Sequence, residues 1–277
     1  VIRLAVRVDR AHAEPVLAEL LALVPAGLEE RDVDAATVEY ALYGAEGELP
    51  DLGELRAAAG GALVEVSARE VPGDWDERWR TFHRPLDVTG RAGSIRVRPP
   101  WAAPREGAID IVIDPGQAFG TGAHPTTRLC LELLAGLEPA GALADWGCGS
   151  GILAIAAALL GWAPVSACDV EQASVDATRA AAAANGASLA SVERCDLRRG
   201  GGPAAPTVVA NLVRPLLLEL ARGAERLPER LLASGLETGE GGEADEVADV
   251  AGAFAARGLR VAERRDGDGW SAILLVR

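Results

Sequence analysis

The chain contains no lysine and no methionine; all 27 of its basic residues are arginine. With the abundance of alanine and glycine, this reads as the codon bias of a GC-rich genome rather than as a functional signal. Basic charge is also scarce in total: 27 arginines face 41 acids, giving a net charge of −14 and a pI near 4.7. Such a field disfavours unassisted binding to nucleic acid or to an anionic membrane and favours a basic partner. The only cysteines are Cys130, Cys148, Cys168 and Cys195. They lie far apart, each in or beside an apolar run, without zinc or redox spacing. Buried free thiols in a reducing compartment are expected, and no metal. No apolar run approaches the roughly 18 residues needed to cross a bilayer. The opening Val1–Val8 alternates and carries Arg3 and Arg7, so no signal peptide is expected and the location reads as cytoplasmic.

What is present fits a soluble globular protein. The 277 residues suffice for two domains, with 49% hydrophobic and 25% charged positions. The chain is organised around Ala144-Asp145-Trp146-Gly147-Cys148-Gly149-Ser150-Gly151, followed by the apolar, alanine-rich run 152–160. That is strand, glycine turn, helix. Glycines remove Cβ atoms where a ligand lies against backbone, and the helix N-terminus offers unpaired N–H groups. The spacing is Gly-x-Gly-x-Gly, not the Gly-x-Gly-x-x-Gly of dinucleotide binders. Asp145 at the turn repels a pyrophosphate but suits an ammonium. Asp169 closes the next apolar run, where a carboxylate accepts hydrogen bonds from ribose hydroxyls. A ligand with an ammonium, a carboxylate and a ribose but no phosphate is S-adenosylmethionine.

In chain order, residues 1–71 alternate as β-α-β-β-α-β, the order of a ferredoxin-like unit. Residues 1–72 hold 6 arginines against 14 acids. This is either a solvated surface or a docking face for a basic protein. Pro72-Gly73 ends this unit, and residues 72–93 read as a linker helix bearing Trp75, Trp79 and Phe82 on one stripe. Residues 94–277 then alternate strand and helix and finish in a hairpin-like pair around 266–269. The fold class is therefore α/β: a doubly wound, mostly parallel, Rossmann-like sheet with an antiparallel edge, preceded by the small α+β domain. Asp145, Asp169, Asp196 and Asn211 fall at the carboxyl ends of its strands, where such sheets bind ligands. The loop 114–127 is dense in glycine and hydroxyls and could close over that pocket. His124 within it is either a base or a structural residue.

Asp114-Pro115-Gly116-Gln117-Ala118-Phe119-Gly120-Thr121-Gly122-Ala123-His124-Pro125-Thr126-Thr127, Asp145-x-Gly-Cys-Gly-Ser-Gly-Ile-Leu-Ala-Ile-Ala-Ala, Asp169 and Ala210-Asn211-Leu212 are similar to the PrmA family, methyltransferases of large-subunit ribosomal protein L11. The resemblance covers roughly residues 72–277. It implies a class I, S-adenosylmethionine-dependent domain with Thr127, Gly147, Asp169 and Asn211 at cofactor-binding positions, to which the local reading adds Asp145 and Gly149. It also implies a basic ribosomal protein as substrate, methylated on lysine and α-amino nitrogens and held by the ferredoxin-like domain. Glu171 stands where the family has Asp, and Trp146 replaces a smaller residue or Phe. No membrane or direct nucleic-acid partner is expected, and the chain is expected to be monomeric.

Asn211-Leu212-Val213-Arg214 also departs from the Asn/Asp-Pro-Pro-Tyr of enzymes that methylate planar nitrogens, which agrees with an sp³ amine. No compelling general base is visible; His124 and Asn211 are the catalytic candidates. Two rival readings stay open: a methyltransferase of the same fold acting on another protein or a small amine, and a non-catalytic module that retains the cofactor pocket.

Overall fold

Alternation in the first 70 residues becomes an antiparallel sheet. The computed structural model describes residues 2–13, 16, 17, 20, 29–34, 36–44, 49–70, 84–114, 124–239 and 245–277. They fall into two units, 1–82 and 83–277. In the first, β1 (Ile2–Asp9), β2 (Glu29–Asp32), β3 (Thr37–Gly44) and β4 (Leu63–Glu70) are ordered β2-β3-β1-β4, all antiparallel. That is the ferredoxin-like order. Leu4, Val6, Val8, Val38, Tyr40 and Leu42 face one core with Val16, Leu20 and Leu55. Backbone at Ala13, Val16, Leu17 and Leu20 is helical, as the apolar spacing there predicts. Helix α1 (Leu52–Ala59) begins at a capping box: Asp51 accepts from the Glu54 N–H, and the Glu54 side chain accepts from the Asp51 N–H.

The opposite face of this sheet carries charge. Register places Arg3 beside Arg69, Arg7 beside both Glu39 and Glu65, and Arg31 beside Glu39. Four of the six arginines of residues 1–72 thus share one face. Glu39 lies at its centre, 2% exposed, taking hydrogen bonds from Arg3 at 2.5 Å, Arg7 at 2.7 Å and Arg31 at 2.9 Å.

In the second unit, β5 (Leu86–Gly90), β6 (Gly93–Arg98) and β7 (Ile109–Val112) form a small mixed sheet. At residues 86–90 strand β5 stands in place of the linker helix expected over 72–93. Its Leu-x-Val alternation lets Val88 enter the core, and Gly90 lets the chain pass the helix α2 (Pro125–Gly136), where a Cβ would come within 2.3 Å of the Ala135 carbonyl. The Trp75, Trp79 and Phe82 stripe lies outside the described residues.

The large sheet joins β8 (Leu143–Trp146), β9 (Val165–Asp169), β10 (Ser191–Arg194), β11 (Thr207–Asn211), β12 (Arg230–Glu237), β13 (Arg260–Gly267) and β14 (Trp270–Val276) in the order β10-β9-β8-β11-β12-β14-β13. The first five strands of that order are parallel, and β14 runs antiparallel to both neighbours. Helices α2, α3 (Ile152–Leu160) and α4 (Gln172–Ala184) bury apolar residues in one core; α5 (Arg214–Gly223) and α6 (Glu246–Ala255) bury theirs in another. The architecture is the doubly wound sheet with an antiparallel edge that the alternation predicts. Among the described residues, no helix is long and apolar enough to cross a membrane, and no His, Cys, Asp and Glu cluster could hold a metal.

Candidate active site

The first half of the site is the glycine turn. Gly147, Gly149 and Gly151 have φ of +78°, +52° and +80°, the left-handed region in which a side chain is strained. The N–H groups of Gly147 and Cys148 both donate to the Cys168 carbonyl, at 2.8 and 3.0 Å, stitching the turn to the end of β9. From α4, the Thr178 hydroxyl donates to the Gly149 carbonyl at 3.0 Å. A Cβ on Gly151 would meet Thr178 side-chain atoms at 2.8 and 2.9 Å, and one on Gly147 would meet Leu212 Cδ2 at 2.4 Å. Protein neighbours, not only a ligand, therefore require glycine here. Thr178 carries no local signal; it is one polar residue in an alanine-rich helix.

The acids occupy distinct environments. Asp169, half-buried at the end of β9, accepts from the Gly149 N–H through Oδ2 and from the Glu171 N–H through Oδ1, both at 3.0 Å. Asp145 sits within β8 and is completely buried. Its Oδ2 accepts from the Ala154 N–H at 3.0 Å, while Oδ1 has no partner among the described residues. Burial pushes its carboxyl up to about 7; the Ala154 hydrogen bond opposes this and the charge of Asp169 adds to it. Asp196 is spent locally, accepting from the Arg198 N–H at 3.1 Å.

The second half is the start of α2. Residues 115–123 of the preceding loop lie outside the described residues, but His124 is the N-cap. Its Nδ1 accepts from the Thr126 N–H at 3.4 Å and lies 2.8 Å from Thr126 Oγ1. Asn211, at the end of β11, donates from Nδ2 to the same Oγ1 at 3.2 Å. The two catalytic candidates are thus joined through one hydroxyl. The His124 ring also stands edge-on to Trp270, centroids 4.9 Å apart, and burial lowers its pKa. Thr127 is buried in the same first turn, its N–H donating to the His124 carbonyl at 3.1 Å. Arg128 pairs with Asp268 at 2.8 Å, tying the helix start to the β13–β14 turn.

Leu212 brings the two halves together. It follows Asn211 and reaches Gly147, and its N–H donates to the Ser234 carbonyl at 3.0 Å. Its own carbonyl passes so close to β12 that a Cβ on Gly235 would lie 2.4 Å from it; Gly235 adopts φ +87° at an irregularity in the β12–β14 pairing.

The family described as Ribosomal protein L11 methyltransferase (PrmA) matches residues 17–277. The chain belongs to this family. A relative named Ribosomal protein L11 methyltransferase from Azotobacter vinelandii is 39% identical over 235 residues, 82% of this chain and 76% of its own length. One of the same name from Symbiobacterium thermophilum is 38% identical over 233 residues, 82% of this chain and 73% of its own. Among solved structures, the ribosomal protein L11 methylase of Lactobacillus delbrueckii subsp. bulgaricus aligns with a TM-score of 0.56 at 26% identity, covering 66% of this chain and 93% of that one.

As an L11 methyltransferase family member the chain is a methyltransferase, and S-adenosylmethionine is its methyl donor. The residues present fit that molecule. Asp145 and Asp169 oppose a pyrophosphate, whereas a buried carboxylate oxygen with no partner among the described residues is a place for a cation. Asp169 sits at the strand end where a ribose is bound in sheets of this kind. Three left-handed glycines keep backbone between them.

Proposed function

We propose that this chain methylates lysine ε-amino and α-amino nitrogens of ribosomal protein L11 in the cytoplasm, acting as a monomer without direct nucleic-acid contact. Residues 1–71 would be the recognition domain and residues 94–277 the catalytic one. The observation that carries the reading is the carboxyl edge of the large sheet, where an acid pair and a polar Asn211–Thr126–His124 chain stand on either side of Leu212. Gly147, Gly149, Thr127, Asp145, Asp169 and Asn211 would hold the cofactor. When bound, its sulfonium supplies a methyl group already activated for transfer.

The remaining work falls to the chain's own residues. They must hold a neutral amine in line with the departing group, at about 3 Å, which is a task of positioning. A lysine has an ordinary pKa of about 10.4, so it must lose its proton first, and a half-buried mouth lowers that pKa. Asn211 would be the side chain that meets the nitrogen. His124, whose burial favours the neutral ring, is placed beside it through Thr126. The planar-nitrogen signature is absent after Asn211, which supports an sp³ amine over an amide.

Recognition of L11 would draw on the acidic excess of residues 1–72. On the described sheet, four arginines stand with Glu39 and Glu65 on the face opposite the core, so that face offers little net acid to a basic protein. The docking acids are accordingly those off this face. The test is mass spectrometry of purified L11 incubated with the full chain and S-adenosylmethionine. Mass gains of one or more methyl groups on lysine and N-terminal peptides are expected. Transfer to free lysine or to another ribosomal protein, with none to L11, would replace this reading with a different amine substrate. Cofactor binding with no turnover on any of these would make the chain a binding module.

A further inference from the structure

The hydrogen bonds around Thr126 have a direction that can be deduced. A backbone N–H can only donate, so the Thr126 N–H at 3.4 Å requires a lone pair on His124 Nδ1. The Thr126 hydroxyl, 2.8 Å from the same nitrogen, must then donate its own proton to it. That leaves Thr126 Oγ1 as acceptor toward Asn211, which must present Nδ2 at 3.2 Å. The orientation of the amide follows: Nδ2 is turned to Thr126 and Oδ1 away from it. The imidazole proton resides on Nε2. Thr126 is 4% exposed, so water competes little for its hydroxyl. Trp270 limits rotation of the His124 ring.

We propose that Thr126 is a positioning residue that sets the polarity of the active site. Through its hydroxyl, the N-cap of α2 fixes Asn211 with its amide oxygen as the open acceptor. An acceptor there takes an N–H of the incoming amine and leaves the nitrogen lone pair for the methyl group. An amide turned the other way would present a donor, which would compete for that lone pair. The inference rests on the amine-methyltransferase reading above for its function, but its structural half does not.

The test uses the whole chain. Thr126→Val removes the hydroxyl at nearly constant volume, and Thr126→Ser keeps it. With L11 as substrate, kcat should fall about tenfold or more for Thr126→Val, since misorientation of a positioned group acts on the transition state. KM for L11 and Kd for S-adenosylmethionine should stay near wild type, and Thr126→Ser should recover most of the loss. If Thr126→Val does not fold, Thr126→Ala takes its place in the comparison. Independently of activity, long-range 1H–15N spectra report the histidine tautomer. His12, His83 and His124 are the only histidines, so His12→Gln and His83→Gln assign the signals. His124 should carry its proton on Nε2. A proton on Nδ1 in the wild type, or wild-type kcat in the hydroxyl-free variant, would overturn the proposal. If the wild type fails to methylate L11, the functional reading falls, while the tautomer still decides the direction of the chain.

Discussion

Among the described residues, each unit of the molecule buries one carboxylate on its sheet, and the two are treated in opposite ways. Glu39 in the first unit is 2% exposed and receives three arginines from two strands. Burial alone would raise its pKa, but the Arg7, Arg3 and Arg31 contacts overcome that and hold it below the ordinary range. Asp145 in the second unit is fully buried, holds one backbone N–H and leaves Oδ1 unpartnered among the described residues, so its pKa rises to about 7. A carboxylate that is paired on all sides serves the fold. One left incomplete at a ligand-binding edge is a cost that a cationic ligand group can offset.

The largest effect should come from Asp145→Asn. A shift from 3.8 to about 7 corresponds to roughly 4 kcal/mol as an upper bound. The sign follows from the raised pKa: the folded state binds the extra proton, so stability is fullest at low pH and is lost as pH rises through about 7. Denaturant midpoints should therefore show the variant more stable than wild type at pH 8, with the gain shrinking toward pH 4. Cofactor affinity should fall in the same variant, measured by calorimetry. A variant less stable than wild type at pH 8 would break the contrast.

Glu39→Gln should act in the opposite sense. Breaking a fully buried ion pair costs about 3–5 kcal/mol, but a smaller loss, on the order of 2–3 kcal/mol, is expected here. Arg7 and Arg31 are 35% and 59% exposed and can return to water. Because the folded pKa is lowered, the stabilisation is present above about 4.5 and disappears as pH falls below it. Cofactor affinity should not change.

Asp169→Asn tests an acid between these extremes. Both of its oxygens accept backbone N–H groups, and an amide can accept through only one. Charged hydrogen bonds contribute about 1.5–3 kcal/mol, so cofactor affinity should drop roughly 10- to 100-fold by calorimetry. Glu65→Ala completes the series. Glu65 shares Arg7 with Glu39 but is half exposed, so the loss in denaturant midpoint should correspond to under about 1 kcal/mol. An equal loss for Glu65→Ala and Glu39→Gln would mean that burial is not what distinguishes them.

Most strands and helices of the large sheet were legible because alternation and apolar runs mark them locally. The ferredoxin-like order followed from the same signal. Strand β5 was not legible: five residues flanked by Arg84 and Arg91 look like a continuation of the preceding segment. Within the site, the glycine turn, Asp169 and Asn211 stood out by type and place. Thr178, Gly235 and Trp270 did not, and Leu212 did only as part of Ala210-Asn211-Leu212, since each acts on a residue from a different element, and Trp270 on one 146 positions earlier in the numbering. His124 was ambiguous for a physical reason. A histidine before Pro125 and Thr126 can cap a helix and still present its other nitrogen to a site, and here its cap and its tie to Asn211 are the same contact network.

Strand β14 sits between β12 and β13, although it is translated after every other strand of its sheet. A growing chain can assemble β8 to β12 with their helices, but β12 then has an open edge, and the His124 ring lacks the Trp270 indole beside it. His124, Thr126 and Asn211 are thus all present in the chain before Trp270 is. Both edges of β12 are paired, and the His124 ring is flanked, only once this seven-residue strand is in place.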